Sequence, residues 1–203
     1  MIILGKSQKF VVILALFFST FLIAADSAGI SGTVTTLPES SQTSSALLKK
    51  DWNLVGINSL LTLDELKSKM GEDNLLIISG KTTYKKSNVD NGKAFLNDFK
   101  KFEKGQGYWI KLSHDKKIDF KLNYDVSEIS LKKDWNLINP PKELTLEQIK
   151  QRVGADNLLI ISGATTYKKS NVDNGKAFLN DFTHFEEPQG YWIKVAHDVV
   201  LKF

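Results

Sequence analysis

Trp52 and Trp135, Gly107 and Gly190, and His114 and His197 are each separated by 83 residues, and residues 48–120 align with 131–203 without an insertion or deletion. A fixed internal period is the strongest constraint a sequence places on its own fold, because both copies must find the same structure. Within the alignment, Asp73–Phe99 matches Asp156–Phe182 at every position except one, where Lys81 faces Ala164. Elsewhere half of the aligned positions differ. Several of those differences preserve an apolar side chain, as Val55/Ile138, Leu66/Ile149, Met70/Val153, Leu112/Val195 and Ile118/Leu201 do. Such swaps are what a packed core tolerates, whereas Glu65/Gln148, Ser68/Gln151 and Glu72/Ala155 drift as surface positions do.

Each copy predicts an α+β unit of ~75 residues with one capped amphipathic helix on a mostly antiparallel sheet, a size that folds alone only marginally. Thr62 with Glu65 and Thr145 with Gln148 form capping boxes, closed by Gly71 and Gly154. Leu63, Leu66 and Met70 share a helical face, as do Leu146, Ile149 and Val153. DWNLVGI reads as the opening strand, NLLIISG as a strand buried on both faces, and TTYKKS as another strand. GYWIKL and IDFKL alternate around SHDKK as a hairpin would. Phe95, Leu96, Phe99 and Phe102 have helix-like spacing in a segment short enough to be an ordered loop. The alternation of KLNYDV offers a continuation of the sheet between the units.

The expected organisation is a signal peptide at residues 1–25, a flexible Ser/Thr-rich linker at 26–47, repeat unit 1 at 48–120, a linker at 121–130 and repeat unit 2 at 131–203. Lys6 and Lys9 precede an apolar run from Phe10 to Ala25, followed by small residues, which is the pattern of a secretory leader. Cleavage after Ala25 fits, with Ser27 and Ala28 as alternatives. The run is shorter than the ~20 apolar residues a spanning helix needs, so no transmembrane segment is expected after cleavage, an uncleaved anchor being the competing reading. Localisation is then periplasmic, cell-surface or secreted. The chain has no cysteine, which excludes disulfides, thiolate metal sites and cysteine nucleophiles. Its formal charge of +4 is spread among acids rather than clustered, so no nucleic-acid partner is expected.

WNL near the start of each copy and GYWIK near its end, through Trp52, Asn53, Leu54, Gly107, Tyr108 and Trp109 and their partners, resemble a repeat found in exported bacterial proteins, sometimes in tandem. The resemblance covers both units and implies export and a small β-rich fold. It implies no activity. The second copy departs from it where Pro188 replaces Gly105, which puts the turn's conformation in question, since proline fixes φ and glycine does not.

Catalysis finds little in these residues. Ser113 precedes His114 and Asp115, but the second copy has Ala196 there, and adjacency in sequence is not how triads are assembled. SNVDNGKAFLND places Gly92 and Asp98 as a calcium loop would, yet Val89 occupies a ligand position. A turn at Asn91–Gly92 accounts for the same letters, the competing reading being an irregular site that uses Asp90, Asn91 and Asp98. No metal, cofactor or catalytic residue is assigned.

Three accounts of the verbatim block remain open: recent copying between the units, a loop whose structure demands those letters, and recognition. If it is recognition, the candidate ligand-binding residues are Tyr84, Lys85, Lys86, Asn88, Asp90, Asn91 and Lys93, with Tyr167, Lys168, Lys169, Asn171, Asp173, Asn174 and Lys176 in the second copy. Trp109 and Trp192 join them, because one of each Tyr–Trp pair must face outward in an alternating strand. The expected function is an exported non-enzymatic binding or structural module, adhering or anchoring at the cell surface through two equivalent units. Its partner would be a surface polymer, glycan or envelope protein, and self-association is open to it. The alternatives are a small envelope carbohydrate-active enzyme or hydrolase, and a spacer that binds no ligand.

Overall fold

The structure, a computed structural model, describes residues 43–57, 59–121, 126–140 and 143–203. The expected signal peptide and most of the linker ahead of unit 1 lie outside those residues, as does most of KLNYDV. The fold is α+β, built as two tandem β-rich units. Unit 1 runs β1 (Thr43–Leu48), β2 (Asp51–Val55), α1 (Leu63–Met70), β3 (Leu75–Ser79), β4 (Thr83–Lys85), α2 (Lys86–Asp90), a 3-10 turn at Ala94–Leu96, β5 (Tyr108–Leu112) and β6 (Lys116–Lys121). Unit 2 repeats it as β7 (Glu128–Leu131), β8 (Asp134–Ile138), α3 (Leu146–Val153), β9 (Leu158–Ser162), β10 (Thr166–Lys168), α4 (Lys169–Asp173), a 3-10 turn at Ala177–Leu179, β11 (Tyr191–Val195) and β12 (Val199–Lys202).

The expected linkers are shorter than their composition implied. Thr43–Leu47 belongs to β1, which pairs with β6, and Glu128–Ser130 belongs to β7, which pairs with β12. The Ser/Thr-rich composition concealed a strand alternation, in which Ala46 and Leu48 are buried and Leu47 between them is exposed.

The expected hairpin of GYWIKL and IDFKL does not form. β5 sits between β2 and β3 in an antiparallel sheet of order β2-β5-β3-β4, while β6 leaves it to pair with β1. Two long strands, β1–β2 and β5–β6, therefore pair along their length and bend together at one corner. Asp51 makes the bend on one strand with φ 69°, and Asp134 does so in unit 2 with φ 73°. Aspartate is among the few residues that reach this left-handed region readily. The ribbon β1–β6 folds over α1, closing the core.

Helix α1 forms where its letters require. Thr62 accepts from the Glu65 amide and the Glu65 carboxylate accepts from the Thr62 amide, completing the capping box, and α3 repeats it with Thr145 and Gln148. Such a cap contributes ~1 kcal/mol. Leu66 and Met70 are buried against the sheet. Strand β3 is covered on one side only: Leu75 and Ile78 are fully buried, but Ile77 and Ser79 are half-exposed, which corrects the expectation of a strand buried on both faces. The run of apolar letters hid a bulge between Leu75 and Ile77. Phe99 and Phe102 join the core, where they meet Tyr108 edge-to-face with centroids 5.0–5.6 Å apart.

The two units lie in one compact body and meet across a reciprocal seam. The Gly56 amide donates to the Pro188 carbonyl (2.7 Å), and at the equivalent place the Asn139 amide donates to the Gly105 carbonyl (2.9 Å). The Gln189 side-chain amide donates to the Leu54 carbonyl, and that of Gln106 to the Leu137 carbonyl. Each unit thus offers the end of its first sheet strand and receives the other's glutamine turn, an isologous arrangement about a pseudo-two-fold axis. Pro188 preserves the turn it enters. Gly105 has φ 71° and Pro188 follows a cis peptide, yet the Gln106 and Gln189 amides donate equivalently to the carbonyls of Glu103 and Glu186.

Candidate functional site

Strand alternation sorts each four-stranded sheet into a core face and an outward face. In unit 1, Tyr108, Ile110 and Leu112 are buried, while Trp109 and Lys111 point outward. The register places two rows on the outward face: Trp52, Lys111, Ile77 and Lys85, and beside them Leu54, Trp109, Ser79 and Thr83. Unit 2 carries the same eight residue types: Trp135, Lys194, Ile160 and Lys168, then Leu137, Trp192, Ser162 and Thr166. The indoles of Trp52 and Trp109 meet edge-to-face at 6.3 Å, those of Trp135 and Trp192 at 6.2 Å. The Lys111 and Lys194 ammoniums sit over Trp52 and Trp135 at 5.6 and 5.7 Å. An exposed cation–π contact of this kind contributes ~0.5–1 kcal/mol. It fixes the ring without covering it, since Trp52 and Trp135 remain 48% and 47% exposed. Each face is a rigid aromatic platform with lysines on two of its four strands.

Of the residues expected to bind, Trp109 and Lys85 are thus brought onto one face, as are Trp192 and Lys168. Tyr84 and Tyr167 are corrected: at 1% and 2% exposure they are core residues, facing opposite to Lys85 in the strand alternation. The rest form the adjoining loop, and much of its polar content is structural. The Asn97 side chain accepts from the Lys85 amide and donates to the Lys85 carbonyl, imitating a strand partner. The Asp98 carboxylate accepts from the Thr83 amide, while the Asp98 and Phe99 amides donate to the Thr83 carbonyl. Asn88 donates to Asn97. Lys86 bridges Asp90 and Asp73, contacts that raise its ammonium above the ordinary lysine value, the Asp90 hydrogen bond foremost. The same bonds recur in unit 2 through Asn180, Asp181, Asn171, Lys169 and Asp173. Gly92, at φ 68°, ends the one-turn helix α2 rather than centring a hairpin.

With Lys86, Asn88 and Asp90 so engaged, the loop tip presents Asn91, Lys93 and an unexpected apolar group. Phe95 and Phe178 are each 81% exposed, beside exposed Leu96 and Leu179. The helix-like spacing of Phe95, Leu96, Phe99 and Phe102 therefore splits, the first pair outward and the second inward. Asp90 and Asp98 turn to separate partners, and among the described residues no cluster of three His, Asp or Glu is placed to hold a metal ion.

At the bend, Asp115 receives the Lys50 amide at 2.7 Å and the Lys49 ammonium at 3.0 Å. These contacts hold its carboxyl below the usual range, the backbone hydrogen bond first. The Ser113 hydroxyl lies 2.9 Å from His114 Nδ1 and 2.9 Å from the Asn74 side-chain oxygen. Asn74 is buried and ties this turn to the end of α1. Asp115 is thus committed to the β1–β2 turn. In unit 2, Asp198 makes the same pair of contacts to Lys132 and Lys133, beside Ala196.

Compared with protein-family models, curated proteins and solved structures, the chain matches none. Among the described residues no helix is long and apolar enough to cross a membrane.

Proposed function

We propose that this chain is an exported, non-enzymatic binding module of the bacterial repeat type it resembles, which adheres to a carbohydrate polymer at a cell surface through its two aromatic sheet faces. One observation carries the reading. Outside the verbatim block, where half of the positions differ, Trp52, Trp109 and Lys111 keep their identity although they point away from the core. Positions on the β6 and β12 ribbons have meanwhile diverged freely: Lys116/Val199, Lys117/Val200 and Asp119/Lys202. Flat indoles beside hydroxyl-bearing Ser79 and Thr83 suit a pyranose, whose C–H face stacks on rings while its edges hydrogen-bond. Two such faces on one body raise avidity without new contacts. The absence of a Ser113 counterpart in unit 2 and the commitment of Asp115 to the β1–β2 turn favour binding over turnover.

The test is retention on immobilised envelope glycans. Replacing Trp109 or Trp192 with alanine should weaken retention, by about tenfold or more at one of them, and the double variant should lose it. Circular dichroism must show both variants folded. A Phe95→Ala/Phe178→Ala variant should bind as the wild type does. Retention that survives the double tryptophan change but fails with the double phenylalanine change would place the site on the loop tips and overturn the sheet-face reading.

A further inference from the structure

The two units are joined by equivalent clefts that have diverged in character. One, of about 460 Å³, lies between β1–β2 of unit 1 and the turns of unit 2, and includes Asn53, Leu54, Trp109, Ala164, Pro188 and Gln189 in its lining. The other, of about 390 Å³, is its pseudo-two-fold counterpart and includes Glu103, Lys104 and Glu128. The first is lined by no charged side chain. Both volumes fall in the range of ~300–1,000 Å³ typical of small-molecule sites.

The differences between the units converge on the uncharged cleft. Ala164, the sole departure from the verbatim block, lines it, and so does Pro188, the departure from the glycine turn. At the place equivalent to Ala164, Lys81 reaches Glu103 of the charged cleft at 3.1 Å. Ser45 lines the first cleft where Glu128 lines the second. Two of these differences, Ala164/Lys81 and Ser45/Glu128, set an uncharged residue at one cleft against an ionic one at or beside the other, and the third adds the Pro188 ring where the other cleft has Gly105. Trp109 belongs both to the unit 1 platform and to the cleft wall, so platform and cleft are continuous.

We propose that this cleft extends the unit 1 face and seats an uncharged sugar residue of the bound polymer, making unit 1 the tighter of two unequal sites. Resting on the function proposed above, the assignment names the ligand chemistry for one half of it. The Trp109, Leu54 and Pro188 surfaces meet the C–H face of the sugar. Ser45 and the exposed backbone meet its hydroxyls, since the Asn53 and Gln189 side-chain amides already donate within the protein. An anionic sugar would lose hydration there with no cation lining the cleft to compensate it.

The full chain is titrated with uncharged linear hexasaccharides of glucose, N-acetylglucosamine and mannose, and with the galacturonate hexamer, while the indole N–H resonances of Trp109 and Trp192 are followed by NMR. At least one uncharged hexamer should shift Trp109 at about tenfold lower concentration than Trp192. Ala164→Lys, which installs the residue that the fold already accommodates at Lys81, should erase that difference by weakening the Trp109 response alone. An unchanged Trp109 titration in this variant overturns the cleft assignment while leaving the two faces intact. Tighter binding of galacturonate at Trp109 overturns the uncharged class. No indole response to any hexamer overturns both this assignment and the glycan reading beneath it, whereas retention on envelope glycans that depends on Trp109 and Trp192 equally overturns only the inequality.

Discussion

Asn97 shows how a residue copied without change can be structural rather than recognitive. Its carboxamide satisfies both the amide and the carbonyl of Lys85 at the free edge of the sheet, which leaves that edge less able to recruit a foreign strand. Asn97→Ala with Asn180→Ala should cost about 1–2 kcal/mol for each unit and accelerate hydrogen exchange at the Lys85 and Lys168 amides. Unaltered exchange at those amides would show that the clamp is dispensable. This bond network favours the view that the loop's structure demands many of its letters. It was not legible beforehand, because Asn97 and Asp98 lie twelve and fifteen residues from the strand groups they satisfy. Trp109 was legible, since the alternation of a strand fixes which of two neighbours faces out. Tyr84 obeys the same rule in the opposite sense, but its strand is only three residues long, too short for the alternation to declare a side.

At the scale of elements, the capped helices were readable from local letters alone, since a capping box spans one turn. Strand pairing was not. GYWIKL and IDFKL are sequence neighbours with matching periodicity, yet the bend at Asp51 and Ser113–Asp115 sends them into different sheets. Partner choice is decided by that corner, which no periodicity encodes. The corner carries a pH dependence. Asp115 and Asp198 are held below the ordinary carboxyl value, first by the Lys50 and Lys133 amides and then by the Lys49 and Lys132 ammoniums. A carboxyl depressed by folding lends stability above its unfolded value and loses it as pH falls through the folded one. Melting temperature should therefore fall with acidification from about pH 4 downward. In an Asp115→Asn/Asp198→Asn variant that fall should be shallower. An identical pH slope in the variant would remove the corner from the account of acid sensitivity.

For the molecule as a whole, the seam explains how two units of marginal size persist. Gly107 and Gly190 admit the partner backbone: a Cβ at either would lie 2.8 Å from the Ile138 carbonyl oxygen or 2.7 Å from that of Val55. Gly107→Ala or Gly190→Ala should each cost about 1–3 kcal/mol, lowering Tm by roughly 2–10 °C. The double variant should melt in two calorimetric steps where the parent melts in one. A single undiminished transition would show that the units do not depend on each other. The repeat was plain in the sequence, but its reciprocal contact was not, because glutamine and glycine in a turn carry no sign of what they touch. Along the pseudo-two-fold axis, Gly56 packs against its own counterpart, Asn139, whose Cγ would lie 2.5 Å from any Cβ placed on the glycine. Two copies of the first unit would leave a hole at that point, and two copies of the second would collide. A single chain that carries both copies escapes the rule binding every symmetric dimer, that a residue on the axis must tolerate its own image. Its halves became a matched pair in which neither can stand in for the other.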